Sequence, residues 1–178
     1  MPSSQIENIS TITQWIAGLN PRSILDVGVG FGKYGVLARE YTDIRNGRYW
    51  RKDWKTIIDG IEIFTKYKNP CWDIYNSIFE ADAREMVQSL RNYEVILLCD
   101  ILEHFEKGEA LALLHRCRTI ATKAVIVSTP HGKYEQGAAF GNEHERHLSE
   151  WFVCDFDQAD SFESSEDCLS AIYLKEQK

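Results

Sequence analysis

Four carboxylates stand at or just past short apolar runs: Asp26 after Ile24-Leu25, Glu62 after Ile61, Asp82 after Ile78-Phe79-Glu80-Ala81, and Asp100 after Val95-Ile96-Leu97-Leu98-Cys99. Asp26 opens the stretch Asp26-Val27-Gly28-Val29-Gly30-Phe31-Gly32. Glycines in such a turn let the backbone bend tightly and let a ligand come closer than any Cβ permits. A phosphate-binding turn has no use for a carboxylate at its mouth, whereas a cationic or amine-bearing ligand is drawn to one. Histidines form a second group: His104 follows Asp100, and His131, His144 and His147 fall in the polar stretch 130–148. A neutral imidazole suits removal of a proton from a weakly acidic hydroxyl near neutral pH. The run Asn142-Glu143-His144-Glu145-Arg146-His147 packs two histidines, two glutamates and an arginine into six residues.

Such residues need elements to hold them. Within residues 1–20, a helix over 5–18 carries Ile6, Ile9, Ile12, Trp15 and Ile16 at helical spacing and stops at Gly18-Leu19-Asn20-Pro21. The patterning predicts strands over 23–27, 56–63, 77–81, 93–99 and 124–128. Helices fit between them from Gly32 to about Glu40, over 84–91 and over 108–120, with a shorter one around 72–75. Strands separated by helix-length segments imply a parallel sheet, because each parallel pairing needs a crossover. The expected fold is therefore α/β, doubly wound, with helices on both faces, in a single domain over 1–178. Beyond residue 128, the segment 130–148 reads as an active-site loop, Ser149 as the cap of a short helix to about Gln158, and 161–175 as a C-terminal antiparallel hairpin. Ligands of such sheets sit at the carboxyl ends of the strands, where the four acids fall.

Composition narrows the partners. Twenty Lys and Arg against twenty-seven Asp and Glu give a net charge of −7, which repels polyanions and argues against a general nucleic-acid binder. The longest apolar runs are far short of the roughly 20 residues that cross a bilayer, and the start lacks the pattern of a signal peptide. A soluble, cytoplasmic protein is expected. Five scattered cysteines, Cys71, Cys99, Cys117, Cys154 and Cys168, without Cys-x-x-Cys spacing, fit reduced thiols. The stretch 41–55 interrupts the strand–helix rhythm with Arg45, Arg48, Arg51, Lys52 and Lys55 beside Tyr49, Trp50 and Trp54. A hairpin around Asn46-Gly47 with its tryptophans over the sheet edge is the simpler expectation; as a lid or stacking surface, it is the one segment suited to a nucleic acid.

The motifs in this order resemble those of class I S-adenosylmethionine-dependent methyltransferases, over about residues 22–130, and the Lys33-Tyr34-Gly35 segment is similar to a small bacterial or phage-like subgroup. The resemblance implies a Rossmann-like methyltransferase sheet and S-adenosylmethionine as cofactor. It places Asp26, Gly28, Gly30 and Gly32 in the cofactor turn, Glu62 and Ile63 at the ribose hydroxyls, Asp82 and Ala83 at the adenine, and Asp100 and Ile101 at the methionine part. A carboxylate accepts two hydrogen bonds from a vicinal diol, so the residue type at Glu62 suits that role. Glu62 lies 36 residues after Asp26 because 41–55 is inserted. Asp82 has an ordinary alternative as a helix N-cap.

The absence of an N/D-P-P-Y/F motif after the fourth strand speaks against N-methylation of bases. Lysine at position 33, where G-x-G-x-x-G has its third glycine, speaks against a dinucleotide oxidoreductase. The expected activity is O-methylation of a sugar, metabolite or natural-product acceptor, with His104, His144 and His147 the candidate bases. Asp100, Glu103, His104 and a later histidine also resemble the magnesium-binding set of small-RNA ribose methyltransferases, with Ser128-Thr129-Pro130 and Trp151-Phe152 matching loosely. Metal-assisted RNA ribose 2′-O-methylation is therefore an alternative, although the expectation is that no metal is used. A non-catalytic cofactor-binding module is a third possibility.

Overall fold

The computed structural model describes residues 6–90 and 92–175. Residues 1–5 of the N-terminal stretch and Arg91, the expected end of a helix, lie outside the described residues. Seven strands form one sheet: β1 (Ser23–Val27), β2 (Ile57–Glu62), β3 (Ser77–Glu80), β4 (Tyr93–Cys99), β5 (Ala121–Pro130), β6 (Ser161–Ser164) and β7 (Cys168–Leu174). Their order is β3-β2-β1-β4-β5-β7-β6, with β1 to β5 parallel and β7 antiparallel to both β5 and β6. Strand order reverses between β1 and β4, with β2 and β3 laid down on one side and β4 and β5 on the other, and this is the topological switch point at which such sheets bind ligands.

Helices α1 (Ile6–Leu19) and α2 (Lys33–Thr42) cover one face; α3 (Ala83–Ser89) and α4 (Lys107–Ile120) cover the other. Alternation within the strands divides the core between them. Ile24, Val95, Leu97 and Ile126 pack towards Ile12, Ile16 and Ala38, while Leu25, Val27, Ile96, Leu98 and Val127 pack towards Val87, Leu113 and Leu114. The doubly wound sheet and the terminal hairpin are as the sequence implied. No helix among the described residues is long and apolar enough to cross a membrane, and all five cysteines are free thiols.

Three local expectations are corrected. The stretch 41–55 forms two 3-10 turns, Ile44–Asn46 and Arg51–Asp53, in place of a hairpin. The Asp43 carboxylate organises it, accepting from the Arg39 and Arg48 guanidinium groups (each 2.5 Å) and from the Lys55 and Thr56 N–H groups. Nor is it a lid: it lies at the amino ends of the strands, where Ile57 N–H donates to the Arg22 carbonyl and the Thr56 hydroxyl to that of Pro21. The Ser149 helix is also absent. Ser149 N–H donates to the Glu103 carbonyl, and only a 3-10 turn, Val153–Phe156, follows. Finally, β5 runs longer than expected at both ends: Ala121 pairs with Tyr93 of β4 at its start, and β7 pairs along it as far as Pro130–Cys168 at its end.

Candidate active site

The β1–α2 turn is held open by backbone geometry. Gly28 and Gly30 have φ of 83° and 52°, and a Cβ at Gly28 would come within 2.9 Å of Ile101 Cδ1. Opposite, Glu62 ends β2 almost fully buried; its Oε2 accepts the Gly30 N–H at 2.7 Å and its Oε1 the Phe64 N–H at 2.8 Å. Burial raises its pKa against these two donors. Each carboxylate oxygen retains a second lone pair, so the group is oriented without being exhausted.

These residues border a cavity of about 200 Å³ at the carboxyl ends of β1, β2, β3 and β4. Gly28, Gly30, Glu62, Ile63, Asp82, Ala83, Asp100, Ile101, His104 and His144 all line it. Asp26, Gly32 and His147 do not. Gly32, with φ of 89°, precedes α2 and packs against Cys71. Asp26 is fully enclosed and accepts the Tyr75 hydroxyl at 2.5 Å, while Tyr75 Oη accepts the Gly35 N–H. Burial pushes the Asp26 carboxyl up to about 7, partly offset by the Tyr75 bond. Asp82 caps α3 by accepting the Arg84 N–H, and the Arg84 guanidinium holds its carboxyl below the usual range. Helix cap and cavity wall are thus the same residue.

Asp100 sits in the left-handed region at φ 53°, a conformation that non-glycine residues adopt at a cost. Its Oδ1 accepts the Ser128 hydroxyl, and its Oδ2 is buried without a hydrogen-bond partner among the described residues. The same is true of Glu103 Oε2, whose carboxyl burial drives well above the ordinary glutamate value. Donor atoms of Glu103, His104 and His147 lie within 4.8 Å of one another. The two imidazoles meet edge to face, centroids 5.0 Å apart. His104 Nδ1 is 3.3 Å from the Arg146 carbonyl and His147 Nδ1 is 2.8 Å from that of Tyr134. Donation to those carbonyls leaves each Nε2 its lone pair. Burial lowers the pKa of both rings, and the neighbouring His147 lowers that of His104 further. His131 stands elsewhere, its Nδ1 2.9 Å from the Ser165 carbonyl.

Sequence reasoning passed over a buried trio in the cavity wall. Tyr67 donates its hydroxyl to Glu145 Oε1 at 2.7 Å, and Asn142 Nδ2 lies 3.4 Å from both. The trio ties the loop after β5 to the β2–β3 connection. The density of functional groups in 142–147 was the available signal; Tyr67 had none. Tyr75, which seals Asp26, was equally silent.

No protein-family model matches the chain, and no curated protein is similar to it in sequence. Solved structures are similar in fold. An O-methyltransferase family protein from Burkholderia thailandensis superposes with a TM-score of 0.62 at 13% identity over 93% of this chain, which spans only 55% of that protein. Magnesium protoporphyrin IX methyltransferase from Synechocystis with bound S-adenosylmethionine gives 0.60 at 14%, covering 94% of this chain and 78% of the other. The small RNA methyltransferase HEN1 gives 0.63 at 17%, covering all of this chain and 27% of the other. The chain therefore has the Rossmann-like fold of S-adenosylmethionine-dependent methyltransferases.

Proposed function

We propose that the chain is an S-adenosylmethionine-dependent methyltransferase acting on a hydroxyl of a sugar, metabolite or natural-product acceptor. The observation that carries the reading is Glu62, fixed by the Gly30 and Phe64 N–H groups in the wall of a cavity at the strand carboxyl ends, with lone pairs left for a ribose diol. Asp82 and Ala83 would face the adenine, and Asp100 and Ile101 the methionine end, all from that cavity's wall. Asp26 contributes from behind, through the turn it anchors to Tyr75. When bound, the cofactor supplies a methyl group on a sulfonium, an electrophile with a good leaving group, so that positioning carries much of the rate.

Around that methyl the chain offers imidazoles. A neutral His104, backed by the Arg146 carbonyl, takes the acceptor's proton as its oxygen takes the methyl group; His144, in the same wall, is the second candidate. His147 stands behind His104 in ring contact. The test is thermal: S-adenosylhomocysteine at about 100 times its Kd stabilises a binder by about 2.7 kcal/mol, and Glu62→Ala should lose most of the shift. A shift equal in wild type and mutant rejects the ribose assignment.

A second reading is favoured by Glu103 Oε2, which has no hydrogen-bond partner among the described residues and lies beside two imidazoles. Glu103, His104 and His147 offer one oxygen and two nitrogen donors, a set suited to a divalent cation that would make an acceptor hydroxyl more acidic. The ribose 2′-hydroxyl of RNA is the acceptor that the likeness to HEN1 brings to this reading. On the first reading, exhaustive chelation leaves turnover unchanged; turnover lost to chelation and restored by Mg²⁺ or Mn²⁺ establishes the second.

A further inference from the structure

Next to the cofactor cavity, a second cleft of about 640 Å³ opens between the α4 N-terminus and the loop after β5, a volume within the range of small-molecule sites. His104 lines the first cavity, His147 lines the second, and Leu148 lines both. The paired imidazoles are therefore a thin partition between the two spaces, and Glu103, whose Oε2 has no hydrogen-bond partner among the described residues, belongs to the same cluster. Tyr134 and Phe152 present their rings to the cleft, 48% and 43% exposed, Tyr134 packing on His147 at 5.6 Å.

The charges of the cleft are unequal. Both of its lysines are engaged: Lys107 binds Asp155 at 2.7 Å and lies 3.6 Å over the Trp151 ring, and Lys133 binds Glu135 at 2.6 Å. Glu106 and Glu150 also line it and take part in no ion pair among the described residues. A phosphate or carboxylate ligand meets a surplus of negative charge and no uncommitted cation. Half-exposed aromatic rings beside carboxylates instead suit a ring with apolar C–H faces and hydroxyl or ammonium donors at its edge.

We propose that this cleft is the acceptor site and that it selects a neutral or amino-substituted sugar ring over anionic acceptors, RNA included. The inference rests on the methyltransferase reading for the word acceptor, since the His104–His147 partition is where the two ligands would meet.

The experiment separates the two. Calorimetry with S-adenosylhomocysteine first reads the cofactor site. The protein, with and without that ligand, is then titrated by NMR with methyl glucoside, methyl glucosaminide, methyl glucuronide and a short single-stranded RNA. The glucoside and glucosaminide are expected to bind at least about tenfold more tightly than the glucuronide and the RNA. Phe152→Ala should weaken them about tenfold with S-adenosylhomocysteine affinity unchanged, and Glu150→Lys should narrow the discrimination against the glucuronide. Preference for the glucuronide or RNA, indifference to both substitutions, or no binding of either favoured glycoside overturns the proposal. Failure of S-adenosylhomocysteine to bind, with glycoside binding intact, overturns the methyltransferase reading and leaves a sugar-binding cleft.

Discussion

The two ends of the parallel strands treat buried charge in opposite ways. At the amino end, Asp43 is fully buried but matched by Arg39 and Arg48, and Arg39 also donates to the Thr56 and Ile74 carbonyls and stacks over Trp54. Arg39 Nε and Trp54 Nε1 have no hydrogen-bond partner among the described residues, yet Asp43 is paired with both guanidinium groups. At the carboxyl end, Asp26, Glu62, Asp100, Glu103 and Glu145 crowd together, no ion pair of the described residues includes any of them, and two keep an oxygen without a partner. Burying an ion is tolerated where a partner is supplied, and otherwise the group is pushed towards its neutral form. The amino-end cluster pairs its buried charges within the chain; the carboxyl-end cluster, among the described residues, does not.

The comparison is sharpened most by Asp43→Ala. It strands the Arg39 guanidinium in the interior and takes the acceptor from two backbone N–H groups, so a loss of about 3–5 kcal/mol is expected in denaturant unfolding. A loss under about 1 kcal/mol would mean that the amino-end pairs contribute no more than surface pairs do. Asp26→Asn should act in the opposite sense and depend on pH. With its carboxyl at about 7, the folded chain keeps a proton that the unfolded chain gives up at ordinary carboxylate pH. Stability therefore falls as pH rises through that window, by up to about 1.4 kcal/mol per pH unit from this group. Asparagine should flatten that slope, and thermal melts at about pH 5 and about pH 8 read it directly; parallel slopes for mutant and wild type would remove Asp26 as the cause. Trp50→Ala should do least, within about 0.5 kcal/mol, because the residue is 70% exposed.

Much of the carboxyl end was legible because its signals are local. Buried parallel strands are written as apolar runs, and the acids that end them stand beside the runs that place them, so Glu62, Asp82 and Asp100 reach one cavity as their order implied. The amino end was not legible for the complementary reason. Asn46-Gly47 has the composition of a hairpin turn, but Gly47 closes a 3-10 turn at φ 77°, and the path is set by Asp43 meeting Arg39, Arg48, Lys55 and Thr56. The i, i+4 spacing of Arg39 and Asp43 permits their pair, but nothing in the spacing announces that Asp43 also takes Arg48 from the five basic residues of 41–55. Tyr67 and Tyr75 escaped likewise: each closes on a carboxylate 78 or 49 positions away. Ser149 shows a local signal overruled, a cap residue whose N–H was claimed by the Glu103 carbonyl.

The strand order carries a consequence for synthesis on the ribosome. The sheet ends β5-β7-β6, so the flank of β5 is paired by β7 and not by β6, the next strand along the chain. Until residues 168–174 have left the exit tunnel, β5 presents an open, apolar edge, and α1, whose Asn8 accepts the Ser170 hydroxyl, waits for the same strand. Nascent chains with such an edge stick to one another. The delay between the emergence of β5 and that of β7 thus sets how long this edge stays open in each new molecule.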